Sequence, residues 1–370
     1  MIGMIAVSNT FKNSLTQTKL LLLIGCGLIN SCAPGDDDAI SIVVDVRGQS
    51  MSKLAFIIAE DQGLYEKHGL DVELKISNIE FEDGRIPTAP FFTRVQRRLG
   101  LIDFPTIDIH VTGHTPTIYN QTNIATWPDQ IALASTDCSV RYYVVVNPGI
   151  EKIEDIKGKR IGINRAGTTS GFAAMQMIER MGWDSQFDVS VLEDGRGVEN
   201  LKRGEVDVAV GGDEAFEAAQ TEGYKILADT RSWNESLAGN SVLVETGWLD
   251  QGTNREAARR FLRATLEGLS IFHLQPELAI DIAARWYGHT EAIARGRYER
   301  ADYVPRIPYP CYEGIANVMR IYDSHEMRRH SETDFFDDSV LEQIVKSGFV
   351  EELYKGSESE ISPDNIQLTQ

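Results

Sequence analysis

Leu54-Ala55-Phe56-Ile57-Ile58-Ala59-Glu60-Asp61-Gln62-Gly63-Leu64-Tyr65-Glu66-Lys67-His68-Gly69-Leu70-Asp71-Val72-Glu73-Leu74-Lys75-Ile76 changes its period midway. Leu54, Ile57, Ile58 and Leu64 recur at helical spacing, whereas from Leu70 apolar and charged residues alternate strictly, as in a half-buried strand. Between them, Lys67 and His68 place basic groups in the last helical turn, and Gly69 is available for a left-handed cap. A β-rich run, Ile40 to Val46, comes before and is broken by Arg47-Gly48-Gln49-Ser50. Strand, loop, helix and strand in that order are the unit of a parallel sheet.

The alternation continues outward. Ile107 to Val111 reads as a strand, and Thr112-Gly113-His114-Thr115-Pro116 leads into a helix. Ile131 to Ala134 and Tyr142 to Val146 read as strands. A second α/β unit starts at Asn147-Pro148-Gly149, with strands at Ile161 to Ile163, Val189 to Leu192, Val206 to Val210 and Lys225 to Ala228. Its helices follow Gly167-Thr168-Thr169-Ser170, Val198 and Gly211-Gly212-Asp213. From Asn254 the chain reads as mostly helical to about Tyr354, opening on an apolar stripe of Phe261, Leu262, Leu266, Leu269 and Phe272 behind Asn254 as N-cap. Residues 81–104 hold Pro87, Pro90 and the basic Arg94, Arg97 and Arg98, expected to be a solvated helix face.

The chain has 370 residues, 42% of them hydrophobic and 25% charged, as in an ordinary globular protein long enough for about two lobes. Its net charge of −19 argues against nucleic acid and against docking on anionic lipid through charge. Leu20 to Ile29 is an apolar run of ten, too short to span a bilayer but suited to a secretory signal. The Ile29-Asn30-Ser31-Cys32 that follows resembles a bacterial lipoprotein box, with Cys32 as the lipidated residue; Leu23-Ile24-Gly25-Cys26 is a competing match. An ordinary cleaved signal without lipid is the alternative. The expected division is a signal at 1–31, a tether at 32–39 and a loose tail at 356–370. Losing residues 1–31 removes two lysines and no acid, so the charge becomes −21. Four cysteines cannot form a disulfide scaffold, and the default for Cys138 and Cys311 is two unpaired, packed thiols.

Five stretches carry a family resemblance. They are Ala55 to Leu70; Ile153-Glu154-Asp155-Ile156-Lys157-Gly158-Lys159-Arg160-Ile161-Gly162; Gly167-Thr168-Thr169-Ser170; Gly204-Glu205-Val206-Asp207-Val208-Ala209-Val210 with Glu214-Ala215; and Lys346-Ser347-Gly348-Phe349-Val350. Their order and spacing resemble the periplasmic solute-binding proteins of ABC importers, of the nitrate/sulfonate/taurine type that includes binders of thiamine-pyrimidine precursors. The segment 80–105 departs from that pattern. The resemblance implies a type II, two-lobed α/β fold with hinge-linked lobes, a ligand cleft and a helical C-terminal region. It implies lobe 1 at 40–140 plus 241–355, lobe 2 at 141–240, and hinge closure on a ligand held between them. Together with the lipoprotein box at Cys32, it leads to the expectation of a monomeric, lipid-anchored protein of the periplasm or cell envelope, serving an ABC permease and not an enzyme.

Three loops enter helices at the carboxyl ends of expected strands, where open α/β sheets place ligands. They are Arg47-Gly48-Gln49-Ser50, Gly113-His114-Thr115, and Ala166-Gly167-Thr168-Thr169. Helix N-termini offer N–H donors and partial positive charge to an anion, and Arg47 or Arg165 adds a forked contact. Ser50, Thr115, Thr168 and Asp213 read equally well as plain N-caps. Asp213 and Glu214 are the groups that would instead suit an amine or aminopyrimidine.

Enzyme readings fail on spacing. His325 and His330 stand five apart, not the four of a zinc-protease helix, and His110 with His114 reads as two ordinary histidines. Thr169 sits where a nucleophile elbow needs serine, and no Walker or dinucleotide pattern appears, so neither metal nor cofactor is expected. The rival class is an enzyme on the same fold. A dihydroxyphthalate-type decarboxylase needs no leader, and a pyrimidine-precursor synthase carries a cysteine-rich metal motif absent here. A sensory role without transport is a third reading.

Overall fold

A computed structural model describes residues 39–77, 107–139, 141–163, 167–192 and 197–357. The leader with Cys32, the segment 81–104, Arg165 and nearly all of the tail lie outside the described residues.

Ten strands follow one another as β1 (Ile40–Arg47), β2 (Leu70–Ser77), β3 (Ile109–Gly113), β4 (Gln130–Ser135), β5 (Tyr143–Val146), β6 (Arg160–Gly162), β7 (Ser190–Leu192), β8 (Val208–Gly211), β9 (Lys225–Asp229) and β10 (Asn240–Glu245). They form two five-stranded sheets, ordered β2-β1-β3-β10-β4 and β7-β6-β8-β5-β9. β1 runs parallel to β2 from Ile40↔Leu70 to Arg47↔Ser77, and parallel to β3 on its other side. β10 returns antiparallel between β3 and β4. In the second sheet β5 plays the same part, antiparallel between β8 and β9. Both sheets therefore share one plan: a parallel core and one reversed strand beside the outermost.

Twelve helices complete the described chain: α1 (Leu54–Asp61), α2 (Leu64–Lys67), α3 (His114–Asn123), α4 (Thr169–Arg180), α5 (Gly197–Lys202), α6 (Asp213–Glu222), α7 (Asn254–Leu274), α8 (Pro276–Tyr287), α9 (Glu291–Glu299), α10 (Tyr312–Ile321), α11 (Ser339–Lys346) and α12 (Phe349–Tyr354). Among the described residues none is long and apolar enough to cross a membrane.

The opening stretch behaves as its period requires, with one difference. Gly63 takes a left-handed φ of +66° and splits the expected helix into α1 and α2. α1 buries Leu54, Phe56, Ile57 and Ile58 completely, each burial contributing about 1.5–3 kcal/mol. Phe56 and Tyr65 stack on Phe261 of α7 at 5.9 and 5.5 Å between ring centres, which fixes α7 over the first sheet. Asn254 is the first residue of α7 rather than its cap. Thr253 holds the cap position, and the Asn254 amide donates to the Trp248 carbonyl at 3.0 Å.

A second core gathers Val144, Ile161, Phe172, Met177 and Val208 around the second sheet. Ile315 and Val318 of α10, together with Met327 and Phe335, pack into it, and so does Ile118 of α3. α10 thus lies against both α3 and α4, while α11 and α12 pack with α7.

Cys138 and Cys311 form a disulfide, which overturns the expectation of two unpaired thiols. Their 173-residue separation hides the meeting from any local pattern. What creates it is the path of the chain after Tyr309, which runs along the end of β4 where the Ser135 N–H donates to the Pro308 carbonyl at 2.8 Å.

Candidate functional site

The first sheet ends at Gly113 and the second sheet's helix α4 begins at Thr169. A Cβ built on Gly113 would stand 3.8 Å from the Thr169 methyl group. Two of the three expected ligand loops therefore face each other between the sheets, and the smallness of Gly113 permits the approach.

The start of α3 has no backbone donors left over. The His114 N–H donates to the Gly239 carbonyl and the Thr115 N–H to the Ala238 carbonyl, both at 2.7 Å. Thr115 also gives its hydroxyl to Ala238 at 2.7 Å, and Pro116 has no N–H at all. Residues 237–239 form the chain's second passage between the sheets, so α3 is tied to the hinge. Gly239 is needed there, since a Cβ would lie 2.0 Å from the Asp137 carbonyl of the first passage. Gly113 occupies the N-cap position and Thr115 lies inside the helix, so Thr115 is not a cap.

His114 itself is fully buried, and neither ring nitrogen has a hydrogen-bond partner. Burial lowers its pKa to about 3, so the imidazole is neutral and can offer one donor and one acceptor but no charge.

The start of α4 is built differently. Thr168 is a true N-cap: its hydroxyl accepts from the Gly171 N–H at 3.1 Å. The Gly167 N–H donates to the Tyr322 hydroxyl at 3.1 Å. Gly167 has φ +79°, and a Cβ would lie 2.3 Å from the ring of Tyr119, so only glycine fits. Tyr119 and Tyr322 meet edge to face at 4.9 Å beside this loop. The Tyr142 hydroxyl is raised to about 12 by burial, against the opposing hydrogen bond to Thr169. The partners described at this helix start are side-chain hydroxyls, those of Thr168, Tyr322 and Tyr142.

The β1 loop is held by a polar network that the residue pattern did not indicate. Lys53, almost fully buried, donates to the Arg47 carbonyl across the loop. Burial lowers its pKa to about 8, against the raising influence of Asp137 and Asp45. Arg47 turns its Nε to Asp45 at 2.8 Å. Ser50 is the N-cap of a 3-10 turn without a capping bond, and its hydroxyl lies 2.8 Å from that of Ser52, which accepts from Asn240 at 2.8 Å. Gln49 is part-exposed beside them. Asp137 accepts from Arg141 at 3.1 Å, and the Arg141 guanidinium lies over the Tyr303 ring. Asn240 with Ser52 and Arg141 over Tyr303 are distant in the chain, so spacing alone could not pair them.

Asp213 and Glu214 open α6, but Gly212 holds the cap position and Asp213 makes no capping bond. Asp213 instead accepts from Arg300 at 3.0 Å, and Glu214 is exposed. Among the described residues no cluster of three or more His, Cys, Asp or Glu could hold a metal ion.

Two sheets of this strand order, joined by crossing segments with helix starts facing across the gap, define the type II periplasmic-binding-protein fold. Residues 137–279 match the NMT1/THI5 like family model. Solved structures share the fold at low identity. The periplasmic aliphatic sulphonate binding protein SsuA from Escherichia coli is 18% identical with a TM-score of 0.57, covering 78% of this chain and 93% of its own. The alkanesulfonate-binding protein SsuA from Xanthomonas axonopodis pv. citri bound to MOPS is 14% identical with a TM-score of 0.55, covering 83% and 98%. The desulfurization enzyme DSZB is 12% identical with a TM-score of 0.58, covering 83% and 99%. No curated protein matches the chain.

Proposed function

We propose that this chain is an extracytoplasmic solute-binding protein. It takes a small anionic organic solute, such as a sulfonate or carboxylate, between lobes that close about the hinge, and delivers it to an ABC importer. The observation that carries this reading is the start of α4, where Thr169, next to the Thr168 cap, faces Gly113 of the other sheet across the gap. That end can present N–H and hydroxyl donors to an anion once Tyr322 and Tyr142 rotate. Arg47, Gln49, Ser50 and the neutral His114 complete the proposed lining, with Arg165 on the same loop. The lobes are taken as 40–140 with 241–355, and 141–240, with α10, Met327 and Phe335 from the C-terminal part packing against the second. The bound sulfonate named for the Xanthomonas protein supports the anionic class. The disulfide fits an oxidising compartment, in keeping with a signal at 1–31 and lipidation at Cys32.

Thermal-shift measurements against MOPS, nitrate, small carboxylates and pyrimidines test the ligand class. A shift with sulfonates or carboxylates is expected; a shift only with cationic or pyrimidine ligands would replace the anionic reading. Cys32→Ala should abolish membrane anchoring. A second reading, an enzyme on this fold, is favoured by the desulfurization enzyme among the structural neighbours. Turnover of any bound compound would establish it.

A further inference from the structure

Arg297 and Arg300 stand at the C-terminal end of α9, which belongs to the first core through Ala294 and through the Tyr298 hydroxyl, a donor to Phe272 at 2.7 Å. Opposite them is α6, whose Ala215 and Ala219 pack with Val145 and Ala209 of the second sheet. Arg297 grips Glu217 with both arms of its fork, at 2.9 and 3.0 Å. Arg300 reaches Asp213 at 3.0 Å and lays its guanidinium over the Phe216 ring, 4.5 Å from the centre. Arg297 also donates to His289 Nε2 at 2.9 Å, which fixes the arginine before it meets its partner. The Arg297 side chain is only 15% exposed, so this pair is better shielded than an ordinary surface bridge.

We propose that Arg297–Glu217 and Arg300–Asp213 form an electrostatic latch between the lobes, made on closure and broken on opening. Each pair joins the two cores, so neither survives a rotation that separates them. Forked arginine–carboxylate bonds are directional and reward one closed geometry. The latch biases the closed state whatever solute is bound. It also engages Asp213, so that carboxylate is not offered to a cationic ligand while the lobes are closed. The inference rests on the two-lobe hinge reading and not on the identity of the solute.

The test is small-angle scattering of the full chain without added ligand, at low salt and at about 1 M NaCl, where the screening length falls to about 3 Å. Glu217→Arg and Arg297→Glu should each raise the radius of gyration at low salt, and the double exchange should restore it. Wild type should expand at high salt. Circular dichroism checks that each variant is folded, with Glu217→Gln as the milder substitute. Superimposable curves for wild type and single variants at both salts, or a double exchange that stays expanded, overturn the latch. Failure of the ligand screen would leave this result standing.

Discussion

The N-termini of α3 and α4 begin with nearly the same words, Gly113-His114-Thr115 and Gly167-Thr168-Thr169, at equivalent ends of two sheets built on one plan. In α3 the first two N–H groups are bound to the carbonyls of Gly239 and Ala238, and Pro116 removes a third. In α4 the surrounding partners are the hydroxyls of Thr168, Tyr322 and Tyr142. A hinge carbonyl cannot withdraw without moving the backbone, whereas a hydroxyl oxygen can withdraw by a change of its side chain's χ1 alone. The same signature is therefore tied to hinge carbonyls in one helix and meets side-chain hydroxyls in the other, the end proposed to meet the ligand. Changes near α3 should cost stability; changes at α4 should cost ligand response.

The largest effect expected on the hinge side is loss of the Cys138–Cys311 bond. The chain-entropy model assigns about 5 kcal/mol to a loop of this length. Cys138→Ser with Cys311→Ser should lower the urea midpoint strongly, and an unchanged midpoint would show that the hinge does not depend on the bond. His114 comes next. Its pKa is about 6.5 in the unfolded chain and about 3 in the fold, so the unfolded state binds the extra proton between those values. The stability it contributes is complete above pH 6.5 and is lost as pH falls toward 3, by at most about 5 kcal/mol. Unfolding of His114→Gln should show a shallower pH slope across that window, and identical slopes would mean the ring has a partner that holds its proton.

Gly239→Ala should cost about 3 kcal/mol, because the new methyl meets the Asp137 carbonyl. On the α4 side, Thr168→Ala removes a cap and should cost only about 1 kcal/mol by thermal melting. Its larger consequence should be a weakened thermal shift with MOPS. If Thr168→Ala left that shift intact while Gly239→Ala abolished it, the two helix ends would have to exchange roles.

Much of the fold was legible because period and glycine placement are local. The switch from helical spacing to alternation at Leu70 yields α1, α2 and β2, and Gly182 and Gly223 mark where α4 and α6 stop. β10 was passed over. Its middle residues are buried on both faces between β3 and β4, so it lacks the alternation of a half-exposed strand. The candidate loops could be located for the same local reasons, but their occupancy could not. Whether an N–H is free depends on Gly239, Ala238 or Tyr322, which lie over a hundred positions away from the helix they cap. The pairing of Asp213 with Arg300 is hidden by sequence distance as well, as is Arg141 over Tyr303.

The reversed strands also set an order of assembly. The second sheet draws all five strands from one continuous stretch, Tyr143 to Asp229, whereas the first must wait for β10 at Asn240–Glu245 to fill the gap between β3 and β4. As the chain is made from its N-terminus, β1 to β4 exist before their sheet can close, with strand edges unpaired and apolar faces uncovered. The second sheet can then have all its strands while the first is still open, although its core still awaits Ile315, Val318, Met327 and Phe335. The opening stretch that reveals the fold in the sequence thus belongs to the sheet that closes last.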